Sequence, residues 1–377
     1  MAALFSSCPR KFVSLLSYTA PRHSRISYSL YPFTTTRRNF HVEPARLQDS
    51  NNDGDTSNVW KLTQEDENRY WNGYITTRPK YTNDFYQLIY DYHASQHTSP
   101  SFSVAHDVGA GPGQVSAKLA ERFAHVVVSD NNKNHVDYAR HVLLNSGFPS
   151  SRFSFDVAMG EELGSRHPHA SADLVACALM FPLMDTQLAL QSFKSMLKTN
   201  GTLAIWFYGR AHFSDPALAK VYQPILNAII DHHFAGVVKG GGPEHQAGWK
   251  RAADGMASWL DYIPFSEEDW TSVERHKWNS SWTTLPFFGQ DACDFPVEPW
   301  SSVTEKELVI KKEDRNLWRK DWDIGELRKF VEYIFPFQDM NEAPVEPLWE
   351  QIEAGMGGPH AKHAFSWPAL LILASKK

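Results

Sequence analysis

Apolar residues change their spacing along the chain, and each change marks an element. Between residues 102 and 209, short apolar runs alternate with stretches of helical period. Residues 102–108 form a short apolar run that ends in a glycine loop, and Val115, Leu119 and Phe123 then recur four apart, as on one face of a helix over 113–123. Val126, Val127 and Val128 make a β-branched strand over 125–130 that closes on an acidic residue. A second helix spans 133–145, with Val136, Ala139 and Leu143 on one face and Gly147 and Pro149 behind it. Strands follow at 153–157 and 173–179. A helix runs from an Asp185 N-cap to Lys198, and Asn200-Gly201 turns the chain into a strand over 202–208. Strands alternating with helices predict an α/β fold: a Rossmann-like, doubly wound, mostly parallel sheet.

Outside this region the rhythm differs. Residues 43–60 are polar and rich in Asn and Asp, a linker by composition. Phe85, Leu88, Ile89 and Tyr92 recur at helical spacing within an aromatic stretch over 60–93. Nine of the thirteen tryptophans fall between 210 and 360, where no regular alternation persists. That stretch is expected to be a helical and irregular cap or substrate region, inserted before a last strand. The strand, over 365–373 within a final segment 361–377, is expected to return to the sheet edge, because Pro368 fits only near a strand's start or on an edge. The alternating core would then be 61–209.

Composition narrows the function. A net charge of −6 gives no basic surface for nucleic acid. No apolar run reaches the roughly 20 residues that span a bilayer. Cys8, Cys177 and Cys293 lie far apart, with no metal-binding or disulfide spacing. Residues 1–42 contain no Asp or Glu but carry Arg10, Lys11, Arg22, Arg25, Arg37 and Arg38 among many hydroxyl residues. This is the composition of a mitochondrial transit peptide, the alternatives being a disordered basic tail or a start codon assigned upstream of a cytoplasmic protein. His167-Pro168-His169 and His232-His233 lack the spacing of a metal site and read as surface histidines, and no metal is expected.

The chemistry concentrates in Asp107-Val108-Gly109-Ala110-Gly111-Pro112-Gly113. A glycine turn between strand and helix admits a ligand close to the backbone and aims helix N–H groups at it. Dinucleotide binders place a glycine where this chain has Gln114, so the spacing is G-x-G-x-G. Asp130, at the end of the next strand, stands where a carboxylate accepts both ribose hydroxyls.

With these motifs the chain resembles the class I S-adenosylmethionine-dependent methyltransferases, in particular the fungal trans-aconitate methyltransferase-like group. The likeness covers roughly residues 60–377. It rests on Tyr74-x3-Arg78-Pro79-x-Tyr81, the glycine loop, Ser129-Asp130, Glu161-Glu162-Leu163, Asp173-Leu174-Val175, Gly201 to Trp206 with Tyr208-Gly209, and Phe365-x-Trp367. The resemblance implies S-adenosyl-L-methionine as cofactor. Gly109, Ala110, Gly111 and Gly113 would line its methionine side, with Asp107 near the amino group. Asp130 and the adjoining Asn131 would hold the ribose, and Met159, Gly160 and Glu161 would sit beside the adenine. Ala178 and Leu179 would floor the pocket, and Tyr74, Arg78 and Tyr81 would form part of a lid. The family usually carries a His-Trp pair where this chain has Pro182-Leu183, on the substrate side, so the resemblance does not bring the substrate with it.

Methyl transfer to a carboxylate needs no base but does need a cationic clamp, for which Arg78 and Arg210 are the candidates. A phenol or enol acceptor would want a base, for which His212 is the nearest residue after the fifth strand. The leading expectation is methyl transfer to a small molecule, with carboxyl O-methylation of an organic acid ahead of methylation of a quinone-like metabolite. The alternatives are a catalytically silent binding or assembly protein of this fold in mitochondria, and a nucleotide-dependent oxidoreductase.

Overall fold

A computed structural model describes residues 64–334 and 342–377. The expected transit segment 1–42 and linker 43–60 lie outside the described residues. Two helices, α1 (Gln64–Thr77) and α2 (Asn83–Ser95), precede the sheet. Thr82 caps α2 by accepting from the Phe85 amide. The alternating region then gives β1 (Val104–Val108), α3 (Gln114–Ala120), β2 (His125–Asp130), α4 (Lys133–Leu144), β3 (Phe153–Val157), α5 (Leu163–Arg166), β4 (Ala172–Ala178), α6 (Thr186–Met196) and β5 (Leu197–Tyr208). Asp185 caps α6 as expected, accepting from the Gln187 and Leu188 amides. That helix stops two residues early, and Asn200 makes the turn at φ +62°.

Beyond β5 come β6 (His212–Phe213), α7 (Pro216–Val238), α8 (Pro243–Ala257), β7 (Trp270–Trp278), β8 (Leu308–Lys312), β9 (Lys320–Trp322), α9 (Ile324–Glu332), α10 (Glu346–Met356), β10 (His363–Ser366) and β11 (Ala369–Lys376). The main sheet has eight strands in the order β3-β2-β1-β4-β5-β11-β7-β8. The first five pair in parallel, β11 runs antiparallel to both of its neighbours, and β8 pairs in parallel with β7. Strands buried on both faces read as continuous apolar runs, and Val126, Val128, Val175, Leu203 and Ile205 are fully enclosed here.

Two features differ from the expectation. The segment 210–360 is more than a cap, because it folds back to supply β7 and β8. As a result the last strand lies between β5 and β7, inside the sheet and not at its edge. The reading fails because β7 carries Arg275, His276 and Lys277, all buried, which hide its apolar alternation. Arg275 is neutralised by Glu307 at 2.6 Å, and Lys277 by Asp261 at 2.6 Å. Pro368, as expected, sits just ahead of a strand. There Trp367-Pro368 carries the chain from β10, in a three-stranded sheet ordered β6-β10-β9, into β11.

Candidate functional site

Strand order reverses between β1 and β4, and a crevice opens beyond the carboxyl ends of the strands at that point, the usual ligand position in such sheets. The loop after β1 follows a path that only glycine takes without strain: φ is +68° at Gly109, +50° at Gly111 and +80° at Gly113. A Cβ at Gly109 would come within 2.5 Å of Met180 Cγ, and one at Gly111 within 3.2 Å of the Trp71 ring. The glycines therefore let Met180 and the Trp71 ring of α1 close on the loop backbone and wall the cradle.

Two carboxylates flank the cradle. Asp130, ending β2, accepts from the Gly111 amide at 3.0 Å, the Asn132 amide at 3.0 Å and His135 Nδ1 at 3.1 Å. Burial would raise its pKa, but the hydrogen bond and charge of His135, with the two amides, outweigh it and hold it below the ordinary value. Asp107, in β1, receives the Ser116 hydroxyl on one oxygen. Its Oδ1 is buried with no partner among the described residues. Burial, opposed by the Ser116 hydrogen bonds and reinforced by the charge of Asp130, pushes this carboxyl up to about 7.

The resulting cleft, about 680 Å³ with its open mouth, is lined by ten of the anticipated cofactor and lid residues: Tyr74, Tyr81, Asp107, Gly109, Ala110, Gly111, Asp130, Asn131, Ala178 and Leu179. Arg78, Gly113, Met159, Gly160 and Glu161 do not line it. Gly113 caps α3 and packs against Ala139 and Leu143. Gly160 is buried near Met184 and Val108, and Glu161 accepts from the Asp185 amide at 2.8 Å. The lining also includes Trp71, Gln114, His135 and Met180. His135 had a signal, since it lies in the first turn of the helix that follows the acidic strand end. Trp71 had none, because nothing local ties α1 to a loop forty residues on.

A second cleft of about 620 Å³ shares Tyr74, Leu179 and Met180 with the first. Leu179 sits at φ +65°, a conformation costing a non-glycine residue roughly 1–2 kcal/mol, and its amide donates to Trp206 at 2.9 Å. The rest of the lining comes from Pro182, Leu183, Phe207, Phe234, Trp249, Ala252, Met256, Phe287 and Ile334, with Arg78 the one charged side chain. Pro182 and Leu183 thus face this second space, on the side where the resemblance put the substrate.

The three residues weighed for catalysis separate. Arg78 lines the second cleft. Arg210 lines neither; its guanidinium pairs with Asp231 at 2.6 Å and donates to the Asn227 carbonyl at 3.2 Å. Asp231 also accepts from the Gly289 amide at 2.7 Å, so the pair ties the loop bearing Phe287 to α7. His212 also lines neither cleft. Its ring packs edge-on against Trp282 at 4.8 Å, and burial, with the charge of Arg315, lowers its pKa. No group of three or more His, Cys, Asp or Glu among the described residues could hold a metal, and none of their helices is long and apolar enough to cross a membrane.

Residues 105–201 match the family of methyltransferase domains. The chain is 42% identical over 329 residues to methyltransferase pgmE of Aspergillus terreus, covering 85% of this chain and 97% of that protein. It is 35% identical to methyltransferase cfoB of Aspergillus candidus, over 81% of this chain and 94% of that one. It is 34% identical to methyltransferase ptaI of Pestalotiopsis fici, over 82% and 93% respectively.

Proposed function

Because the chain belongs to the class I S-adenosylmethionine-dependent methyltransferases, we propose that the cleft at the glycine loop holds the methyl donor and that the second cleft holds an apolar, ring-bearing small molecule as acceptor. Two features of the first cleft suit the donor. The glycine loop brings bare backbone to the cleft wall, and the orphaned Asp107 oxygen calls for a cationic donor such as an amino-acid ammonium group. Asp130, kept ionised by His135, suits a pair of ribose hydroxyls.

The observation that carries the acceptor reading is the wall common to the two clefts, Tyr74, Leu179 and Met180, together with the aromatic lining beyond it. S-adenosylmethionine supplies a methyl group already activated by a sulfonium. What remains for the chain is to hold two molecules in line and exclude water, and proximity of that kind accounts for much of such a rate. Phe207, Phe234, Trp249 and Phe287 offer ring faces for a flat acceptor. Carboxyl O-methylation of a small polyacid fits this lining less well. Such an acid needs several cations, Arg210 is committed to Asp231, and among the described residues Arg78 is the one cation of the lining.

The test is to titrate S-adenosylhomocysteine by calorimetry, then offer hydroxylated naphthalenes and anthraquinones beside aliphatic tricarboxylic acids and read methylated products by mass spectrometry. Methylation of the aliphatic acids with none of the ring compounds would overturn the acceptor reading.

A further inference from the structure

Resting on the assignment of the second cleft to the acceptor, we propose that Arg78 binds an ionised oxygen carried by the acceptor's ring system, so that the acceptor enters the reaction as an anion and no side chain acts as base. Three arginines are buried among the described residues: Arg78, Arg210 and Arg275, at 5%, 8% and 0% exposure. Arg210 has Asp231 at 2.6 Å, and Arg275 has Glu307 at 2.6 Å. No carboxylate among the described residues pairs with Arg78.

The surroundings of Arg78 hold a cation without neutralising it. Its guanidinium lies 4.6 Å from the Tyr74 ring centre and 5.7 Å from those of Phe287 and Phe330. It donates to the Ile334 carbonyl at 2.9 Å and, at longer range, to the Tyr333 carbonyl and the Tyr208 hydroxyl. Nε has no partner among the described residues. A guanidinium offers five N–H groups, so part of the fork remains unused. A buried charge with no counter-ion among the described residues is costly to keep, and an anionic ligand oxygen would complete the set.

The rest of the lining agrees. Among the described residues, no His, Asp, Glu or Lys lines the second cleft. A phenol bound beside a buried guanidinium ionises at lower pH than in water, and its proton leaves to solvent. A carboxylate arrives already ionised. In either case a lone pair on that oxygen makes the new O–C bond, the methyl carbon's bond to sulfur breaks with its electron pair going to sulfur, and the products are a neutral ether or ester and a thioether.

The experiment compares two ring probes of one shape on the full chain saturated with S-adenosylhomocysteine: 2-naphthoate and its neutral analogue 2-naphthamide. Wild-type protein should bind the naphthoate about tenfold or more tighter, the worth of one charge-assisted pair. Arg78→Gln should erase that preference while holding the amide within about twofold, and Arg78→Lys should keep part of it. A phenolate source is read with 6-cyano-2-naphthol, whose absorption should report ionisation at lower pH when bound to the wild type and not when bound to Arg78→Gln. Equal or better binding of the neutral probe by the wild type, with no shift in the naphthol, would overturn the proposal, and this comparison needs no variant to fold. Equal loss of both probes in Arg78→Gln would also overturn it, by reducing Arg78 to packing. If neither ring probe binds, the acceptor reading itself falls, while S-adenosylhomocysteine binding in the same samples reports separately on the donor cleft.

Discussion

Asp107 and Asp130 face one cleft from adjacent parallel strands, and their surroundings drive the two carboxyl groups in opposite directions. Asp130 is held below its ordinary range by His135 and two amides, whereas burial lifts Asp107 to about 7. One acid is a permanent acceptor; the other is half-protonated at neutral pH until a cation arrives.

The first prediction concerns that second acid. A cationic ammonium beside Asp107 favours the carboxylate, so S-adenosylhomocysteine binding should release a proton below pH 7 and tighten as pH rises to 7. Calorimetry at pH 6 in buffers of different ionisation heat measures the release, and its absence would remove Asp107 from the site. Asp107→Asn should weaken binding by about tenfold and flatten the pH dependence. Stability of the ligand-free protein moves the other way. A folded pKa raised from 3.8 to about 7 favours the protonated fold, so the contribution is complete below 3.8 and is lost as pH climbs through 7. Asp107→Asn should lessen that loss.

Asp130→Ala removes an acceptor that also satisfies the Gly111 amide. Expected outcomes are roughly a hundredfold weaker S-adenosylhomocysteine binding and a destabilisation of about 1–3 kcal/mol by urea titration. Unchanged affinity would place the ribose elsewhere.

Gly109→Ala and Phe287→Leu should separate the two clefts kinetically. A Cβ at 109 must displace Met180, which lines both, so donor affinity and acceptor KM should worsen together. Phe287 lines the second cleft alone. Phe287→Leu should raise acceptor KM about tenfold, as for lost aromatic contact, and leave donor affinity as it was.

Arg210→Met should act on the fold rather than on the chemistry. It leaves Asp231 buried without its cation, a loss of about 3–5 kcal/mol, and the double variant Arg210→Met/Asp231→Leu should recover most of it. Denaturant unfolding of the single and double variants decides this; a stable single variant with lost activity would restore Arg210 as an acceptor clamp.

The core strands, the glycine loop, Asp130 and the Asp185 cap were legible because each depends on local chemistry: a β-branched run, a backbone path open to glycine, a hydroxyl or carboxylate at a helix start. β7 was not legible, since Arg275 and Lys277 are buried there through partners at Glu307 and Asp261, distant in the sequence. The second cleft was hidden for a similar reason. Phe207 lies near the end of β5, Phe234 on α7, Trp249 on α8 and Phe287 in a loop, and only folding brings them together. Arg78 and Arg210 look alike as sequence, both following an aromatic stretch. A carboxylate one helix away makes one of them structural and leaves the other facing the cleft.

The place of β11 has a consequence for how the protein is made. β5 is complete once Tyr208 has been synthesised, but its partner begins only at Ala369, after α7, α8 and β7 have emerged. Until then the ribosome carries a half-sheet whose open edge exposes the backbone of Leu203 and Ile205, a template for unwanted pairing with other chains. Closure of the seam is thus a late event in biogenesis. A stop codon ahead of Ala369 would leave a product unable to close its own middle.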